Sequence, residues 1–260
     1  MTRITKAFEG NKALITFVTG GDPDIETTEL LVLEMEKAGA DLIEIGIPFS
    51  DPIAEGIVIQ QADERALAAG CTTDKLFDMV ARLRQKTEIP LVFMTYINPI
   101  FTYGKERFMA KCKECGIDGV IVPDMPFEEK GELQEFCDNH NICLISMIAP
   151  TSGDRAAKIA NQAEGFLYCV SSLGVTGVRS DINMDIAGLI EGVKKVSGIP
   201  CAIGFGISSP EQAKKMASIS DGVIVGSAIV RLVAQYGKES PAPVSEFVKG
   251  LKSGISTVSE

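Results

Sequence analysis

Residues 41–60, DLIEIGIPFSDPIAEGIVIQ, decide how the rest of the chain is read. The stretch starts as a short apolar run and breaks at Gly46-Ile47-Pro48. It passes through a loop carrying Asp51 and Glu55 and ends in a segment able to start a helix. Alternation along a strand puts Leu42, Glu44 and Gly46 on one face and Ile43 and Ile45 on the other. A lone glutamate in such a run costs several kcal/mol unless it has a partner or a task. Glu44 is therefore the first residue to explain.

Working outward, residues 13–19, 41–47, 89–95, 118–122, 142–147, 165–170, 201–203 and 222–225 read as strands. Helical patterns fill the gaps at 24–38, 58–69, 74–86, 104–115, 128–139, 154–163 and 183–196, and others start at Ser209 and Ser227. A short helix at 2–9 precedes the first strand and one at 243–258 closes the chain. Asp22-Pro23 or Asp24 suits the start of the first long helix, since Asp caps well and Pro fits a first turn. Ser209-Pro210-Glu211-Gln212 has capping-box spacing. Strand–helix alternation argues for a parallel sheet, and eight units fit a closed (β/α)8 TIM barrel with extra N-terminal and loop helices. Ile89-Pro90 followed by Asp118-Gly-Val-Ile-Val122 recurs as Ile199-Pro200 followed by Asp221-Gly-Val-Ile-Val225, as in a duplicated half-barrel or in two similar βα units. No Pro- or Ser-rich linker divides the chain, so residues 1–260 read as one domain. The rival, an open doubly wound sheet, would favour a G-x-G-x-x-G after strand one, and none is there.

Composition narrows the function. The chain has 260 residues, 45% hydrophobic and 23% charged, with a net charge of −10. No Lys/Arg block interrupts the acidic balance, which argues against nucleic acid and anionic membranes as partners. An anionic substrate remains compatible if backbone amides bind it. No apolar run approaches the roughly 18 residues of a membrane span, and MTRITKAFEG lacks a signal-peptide core, so a cytoplasmic location is expected. The seven cysteines are scattered, which suits reduced core thiols. Cys112 and Cys115 match CxxC, but no second pair exists and they fall in an amphipathic helical pattern, so no metal site is expected.

In a barrel of this kind the active site lies at the C-terminal ends of the strands. Three groups converge there. Gly204-Phe205-Gly206-Ile207-Ser208-Ser209 after strand seven and Gly226-Ser227 after strand eight form an anion cradle. Amides at a helix N-terminus bind phosphate without Lys or Arg; the plainer reading is a pair of tight βα turns. Glu44 and Glu55 form a carboxylate pair, in which a buried Glu with raised pKa exchanges protons near neutrality. Against this stand a paired structural role for Glu44 and a solvated loop charge for Glu55. Residues 171–180, SSLGVTGVRS, are placed to act as a lid or as a long connection. The only histidine, His140, falls on the far face, which argues against a His-based mechanism. Tyr96 and Tyr168, on or just past strands three and six, either face a ligand or fill the core. Another phosphate-binding barrel enzyme, an isomerase or aldolase, is a further option, but no strand carries the lysine a Schiff-base aldolase needs.

Taken together, Ile45-Gly-Ile-Pro-Phe-Ser-Asp-Pro52, Ser172-Leu-Gly-Val-Thr-Gly177, Gly204-Phe-Gly-Ile-Ser-Ser-Pro-Glu-Gln212 and Val225-Gly-Ser-Ala-Ile-Val230 resemble the tryptophan synthase α-subunit family, in order and from end to end. The resemblance implies a lyase that cleaves indole-3-glycerol phosphate to indole and glyceraldehyde 3-phosphate by a retro-aldol reaction. It implies that Glu44 is the catalytic acid–base and that Glu55 stands where the family has an aspartate holding the indole N–H. Phe17, Met94, Ile121 and Tyr168 match the indole pocket, and Gly177, Phe205, Gly206, Gly226 and Ser227 the phosphate site. Thr176 matches the lid threonine. The family works as an α2β2 complex whose β subunit carries pyridoxal phosphate, with no cofactor in the α chain. Asp51, Asn98 and Pro126 lie in loops that face β in that family. The family usually reads Ala-Asp-Gly-Pro where this chain has Ala54-Glu55-Gly56-Ile57. The longer acid could sit about 1 Å off, and such a shift can cost roughly 10²-fold in rate. That departure leaves a second reading open, a weakly active partner that mainly activates β.

Overall fold

A computed structural model of the chain describes residues 2–170, 182–204 and 206–258. Its strands are β1 (Ala13–Thr19), β2 (Leu42–Gly46), β3 (Leu91–Met94), β4 (Gly119–Ile121), β5 (Cys143–Ile148), β6 (Leu167–Val170), β7 (Cys201–Gly204) and β8 (Gly222–Val225). They pair in parallel in chain order, and β8 closes on β1. The expected (β/α)8 barrel is the fold, with every expected strand present and trimmed by a residue or two at some ends.

Period-two alternation sorts each strand. Leu14, Val18, Ile43, Ile45, Leu91, Phe93 and Val120 point outward into the layer shared with the helices. Ile15, Leu42, Val92, Ile121, Ile145, Phe166, Ala202 and Ile224 fill the interior. Burial of both faces is why these strands read as continuous apolar runs.

The helices around the barrel include α1 (Arg3–Lys6), α2 (Ile25–Lys37), α3 (Ile57–Ala68), α4 (Thr73–Leu83), α5 (Ile97–Tyr103), α6 (Lys105–Cys115) and α7 (Gly131–His140). They continue as α8 (Arg155–Asn161), α9 (Ile182–Lys194), α10 (Pro210–Ala217), α11 (Ser227–Tyr236) and α12 (Pro241–Ile255). Asp24, not Asp22, caps α2 by accepting from the Thr27 N–H at 2.7 Å. At α10 the box is only half formed. Ser209 accepts from Gln212 N–H, but the Gln212 side chain accepts from Ser208 N–H at 2.8 Å and not from the cap residue itself. Helix α5 has no counterpart in the sequence reading. Its Pro99 falls in the first turn, where proline is tolerated, and its first amide, Ile97 N–H, donates to Asp124 at 3.0 Å from the loop after β4. That cap comes from a distant residue and leaves no local signature.

Helix α1 plugs the N-terminal end of the barrel. Ile4 joins the interior cluster, and the Phe8 ring lies 5.5 Å from that of Phe166. A Cβ on Gly119 would sit 2.8 Å from the Cys143 carbonyl and 3.2 Å from Ile4, so a side chain there is excluded.

Three aspartates repeat one construction on this closed face. Asp41 accepts from Leu14 N–H and Lys252, Asp118 from Leu91 N–H and Arg84, and Asp221 from Cys201 N–H and Lys194. Each aspartate's own N–H returns to the same neighbouring residue's carbonyl, at 2.8–2.9 Å. The repeated Asp-Gly-Val-Ile-Val segments thus share a physical job, holding β4 to β3 and β8 to β7. Asp118 is the most connected, with Arg3 adding a contact at 3.2 Å. Asp118→Ala would leave the Leu91 amide and the Arg84 guanidinium unmatched. It is expected to lower stability by about 2–4 kcal/mol, read as a clear fall in Tm, while activity per folded molecule is retained.

Candidate active site

Glu44 projects into the barrel one layer above Leu42, in register with Phe17 of β1 and Val92 of β3. It is fully buried, and neither carboxylate oxygen has a hydrogen-bond partner among the described residues. Burial alone pushes its pKa up to about 8. Of the roles open to a buried glutamate, the ion-paired structural one does not fit this geometry. A carboxyl of this kind is protonated near neutrality and can both give and take a proton.

The inward positions around it form an apolar ring. Phe17, Ile121 and the partly buried Met94 and Tyr168 all face this space. Glycines make room for the rings. A Cβ on Gly46 would meet Phe17 at 2.7 Å, and one on Gly204 would meet the Tyr168 hydroxyl at 2.5 Å. The Tyr168 phenol is pushed well above its usual value by burial first and the nearby Glu44 charge second. Met147 and Thr19 share the inward face by the same alternation and could have been found that way. The Thr19 hydroxyl is buried without a partner.

Glu55 sits in the loop between β2 and α3, half-buried, with its Oε2 enclosed and unpartnered. Its pKa is pushed up to about 7, by burial first and by the Asp124 charge as well. The solvated-loop alternative therefore does not describe it. The loop is held at two points. Tyr96, on β3's exit, accepts from Ala54 N–H at 2.7 Å and packs its ring 5.3 Å from Phe49. Gln60 Nε2 donates to the Glu55 carbonyl at 2.8 Å. Tyr96 is buried and serves the loop, a task distinct from either ligand contact or core filling. Asp63 on α3 was not anticipated. Its signal was a charged residue on the apolar stripe Ile59, Ala62, Ala66.

At the other side of the mouth, Gly206 has φ +77° with open space where a Cβ would be, and Gly226 caps α11, whose first residue Ser227 is exposed. The first amides of a helix lack intrahelical partners, so α11 presents donors to the mouth. Thr176, Gly177 and the loop 171–180, together with Phe205, lie outside the described residues. Asp51, Asn98 and Pro126 are exposed at the exits of β2, β3 and β4. His140 pairs with Glu106 at 2.8 Å at the end of α7, away from the mouth. Cys112 and Cys115 are buried in α6. Among the described residues no cluster of three or more His, Cys, Asp or Glu is placed to hold a metal, and no helix is long and apolar enough to cross a membrane.

A closed parallel barrel with an acid unpartnered among the described residues, ringed by apolar side chains, and with helix amides at the same mouth has the architecture of the (β/α)8-barrel enzymes. Comparison with known proteins gives its family. The family model described as tryptophan synthase alpha chain matches residues 4–254. A tryptophan synthase alpha chain from Alkaliphilus metalliredigens is 48% identical, over 96% of this chain and 97% of that one. The crystal structure of tryptophan synthase subunit alpha from Legionella pneumophila superposes with a TM-score of 0.89 at 35% identity, covering 98% of each chain. A chain from the tryptophan synthase a2b2 complex of Pyrococcus furiosus superposes with a TM-score of 0.87 at 35% identity, over 94% of this chain and 98% of that one. The chain belongs to the tryptophan synthase alpha chain family.

The isolated Glu44 makes a stability prediction. Its folded pKa, about 8, lies above the ordinary 4.5, so the native state binds more protons than the unfolded state between those values. Stability from this group is full below about pH 4.5 and declines as pH rises towards 8. Glu44→Gln removes that loss. Its Tm is expected to match the parent near pH 5 and exceed it by several degrees at pH 8 in thermal melts. A gap independent of pH would contradict the assignment.

Proposed function

We propose that Glu44, Glu55 and the amide-lined mouth carry out the family's reaction on this chain, the retro-aldol cleavage of indole-3-glycerol phosphate to indole and glyceraldehyde 3-phosphate. The chain is a carbon–carbon lyase of tryptophan biosynthesis. The observation that carries the residue assignment is Glu44: fully buried, unpartnered, and holding a proton near neutrality through burial alone.

The chemistry follows from that proton. Cleavage needs a proton delivered to the indole C3 and another removed from the glycerol hydroxyl next to the breaking bond. As the C3–C bond breaks, the hydroxyl becomes the aldehyde carbonyl and its electron pair returns through the ring. Protonated Glu44 supplies the first proton and, once ionised, accepts the second, so one carboxyl returns to its starting state. Phe17, Met94, Ile121 and Tyr168 hold the indole by apolar contact. The Glu55 carboxylate accepts from the indole N–H and stabilises positive charge on that nitrogen as C3 is protonated. Gly206, Gly226 and Ser227 seat the phosphate on backbone amides; the family resemblance adds Gly177 and Phe205 to the phosphate site and Thr176 as the lid threonine.

The partner reading rests on exposed groups. Asp51, Asn98 and Pro126 are joined on the same loops and helix by Ile53 at 82% exposure, Ile57 at 60% and Phe101 at 46%. Exposed apolar side chains rimmed by polar ones suit a protein interface. The Pyrococcus furiosus relative is part of an a2b2 complex, and a β subunit carrying pyridoxal phosphate is the proposed partner of this face, in the same stoichiometry. A cytoplasmic location fits that role.

Glu44→Gln keeps shape and removes the titrating proton. Indole release from indole-3-glycerol phosphate, with β present, is expected to fall by about 10²–10⁴-fold in kcat with KM little changed. Undiminished turnover would refute the assignment. Glu55→Asp separates lyase from regulator: a large rise in turnover with unchanged activation of β would favour the regulatory reading.

A further inference from the structure

The acid in the loop after β2 is held by its backbone and not by the tip of its side chain. Glu55 Oε2 is enclosed and finds no hydrogen-bond partner among the described residues. Among those residues, two hydrogen bonds join residues 50–55 to other elements, and they fall on either side of Glu55. Ala54 N–H donates to the Tyr96 hydroxyl at 2.7 Å, and Gln60 Nε2 donates to the Glu55 carbonyl at 2.8 Å. Between these anchors lie only the soft backbone torsions of Ala54 and Glu55 themselves. Asp51, Ile53 and Ala54 are exposed, so packing adds little to the hold. Both anchors are fixed in their turn. Tyr96 is 3% exposed, sets its ring centre 5.3 Å from that of Phe49, and is the N-cap residue of α5, whose Ile97 N–H is tied to Asp124. Gln60 follows Ile59, which packs with Phe17, Ala62 and Val230 and seats α3 on the barrel.

We propose that Tyr96 and Gln60 are positioning residues for the lyase reaction: they clamp the backbone on both sides of Glu55, and that clamp places its carboxylate at the indole N–H. The inference rests on the reading of Glu55 as the group that holds the indole N–H. A contact that strengthens as charge develops needs its acceptor within about 0.5 Å of the productive place. A displacement of about 1 Å costs roughly 10²-fold in rate. A side chain with no hydrogen bond at its enclosed oxygen takes that precision from the backbone. The chemistry of the anchors suits the task. A phenol and a primary amide are neutral, so they grip the main chain without competing with the indole N–H for the carboxylate. A lysine or arginine in either place would pair with Glu55 instead.

The test is a double-mutant cycle on the whole chain, with β present, read as indole release. Tyr96→Phe keeps the ring against Phe49 and loses the acceptor. Gln60→Met keeps the reach and loses the donor. Each is expected to lower kcat about tenfold with KM little changed, and to lower Tm by no more than a few degrees. In a Glu55→Gln background the same substitutions are expected to cost less than about twofold. Hydrogen exchange at the Ala54 amide, faster by about tenfold or more in Tyr96→Phe, reports the released loop directly. Equal losses with and without the Glu55 carboxylate, or full kcat in both variants, would overturn the clamp. Full turnover in Glu55→Gln beside a released Ala54 amide would instead overturn the reading of Glu55, leaving Tyr96 and Gln60 as loop anchors alone.

Discussion

The enclosure of Glu44 is the constraint around which the molecule is arranged. A carboxylate closed into an apolar barrel without hydrogen-bond donors is costly as an anion, so the group keeps its proton to about pH 8. That state survives only if nothing nearby rewards ionisation. A lysine or arginine at the mouth would do so, because an opposite charge within a few ångströms favours the charged form. The anion seat proposed above, built from the first amides of α11 and from Gly206, would avoid that conflict. The partial charge of a helix terminus is about half an elementary charge and fades within a turn. On that reading a seat of backbone amides and a proton-bearing glutamate are two sides of one electrostatic solution, and an overall acidic chain is compatible with an anionic substrate.

The two ends of the barrel use aspartate in opposite ways. On the closed face Asp41, Asp118 and Asp221 are ionic latches, each with a neighbouring strand amide and a basic side chain. These contacts hold strand register where α1 plugs the interior. At the mouth, Glu44, Glu55 and Asp63 have no basic partner among the described residues, and all three bind protons more tightly than usual. Breaking a latch costs stability, whereas neutralising a mouth acid relieves strain at high pH and, under the proposed mechanism, removes chemistry. Stability and reactivity are therefore held by the same residue types with different company.

Most of the fold was legible because it depends on local patterns. Alternation and length located all eight strands, and the inward set Leu42, Glu44, Gly46 followed from period two alone. Helix α5 escaped because Asp124, across the sequence, satisfies its first amide. Site residues divided along the same line. Glu44 announced itself as a charge in an apolar run. Asp63 carried a similar signal, a charge on an apolar helical stripe, but helices commonly carry charges and its burial is set by tertiary packing. The role of Tyr96 depended on where the Ala54 amide came to lie, which no spacing reports. The aspartate latches were half visible, as the repeated Asp-Gly-Val-Ile-Val, while their basic partners lie from 27 to 211 residues away.

The departure at Glu55 and Ile57 acquires a physical account from α3. A proline at position 57 would occupy the first helical position, where its fixed φ favours initiation and its missing N–H costs nothing. Ile57 supplies neither advantage, and Gly56 caps the helix without a side-chain hydrogen bond. The start of α3 is held from within instead, by Gln60 reaching back to the Glu55 carbonyl, while Tyr96 fixes the loop at Ala54. Two tethers thus replace the stiffness of a proline and act on the backbone that sets where the longer glutamate side chain begins. A side chain one methylene longer, anchored at its own carbonyl and enclosed at Oε2, has few ways to reach solvent. Its carboxylate is retained at the mouth by the loop's anchoring, so the substitution alters the reach of the acid more than its address.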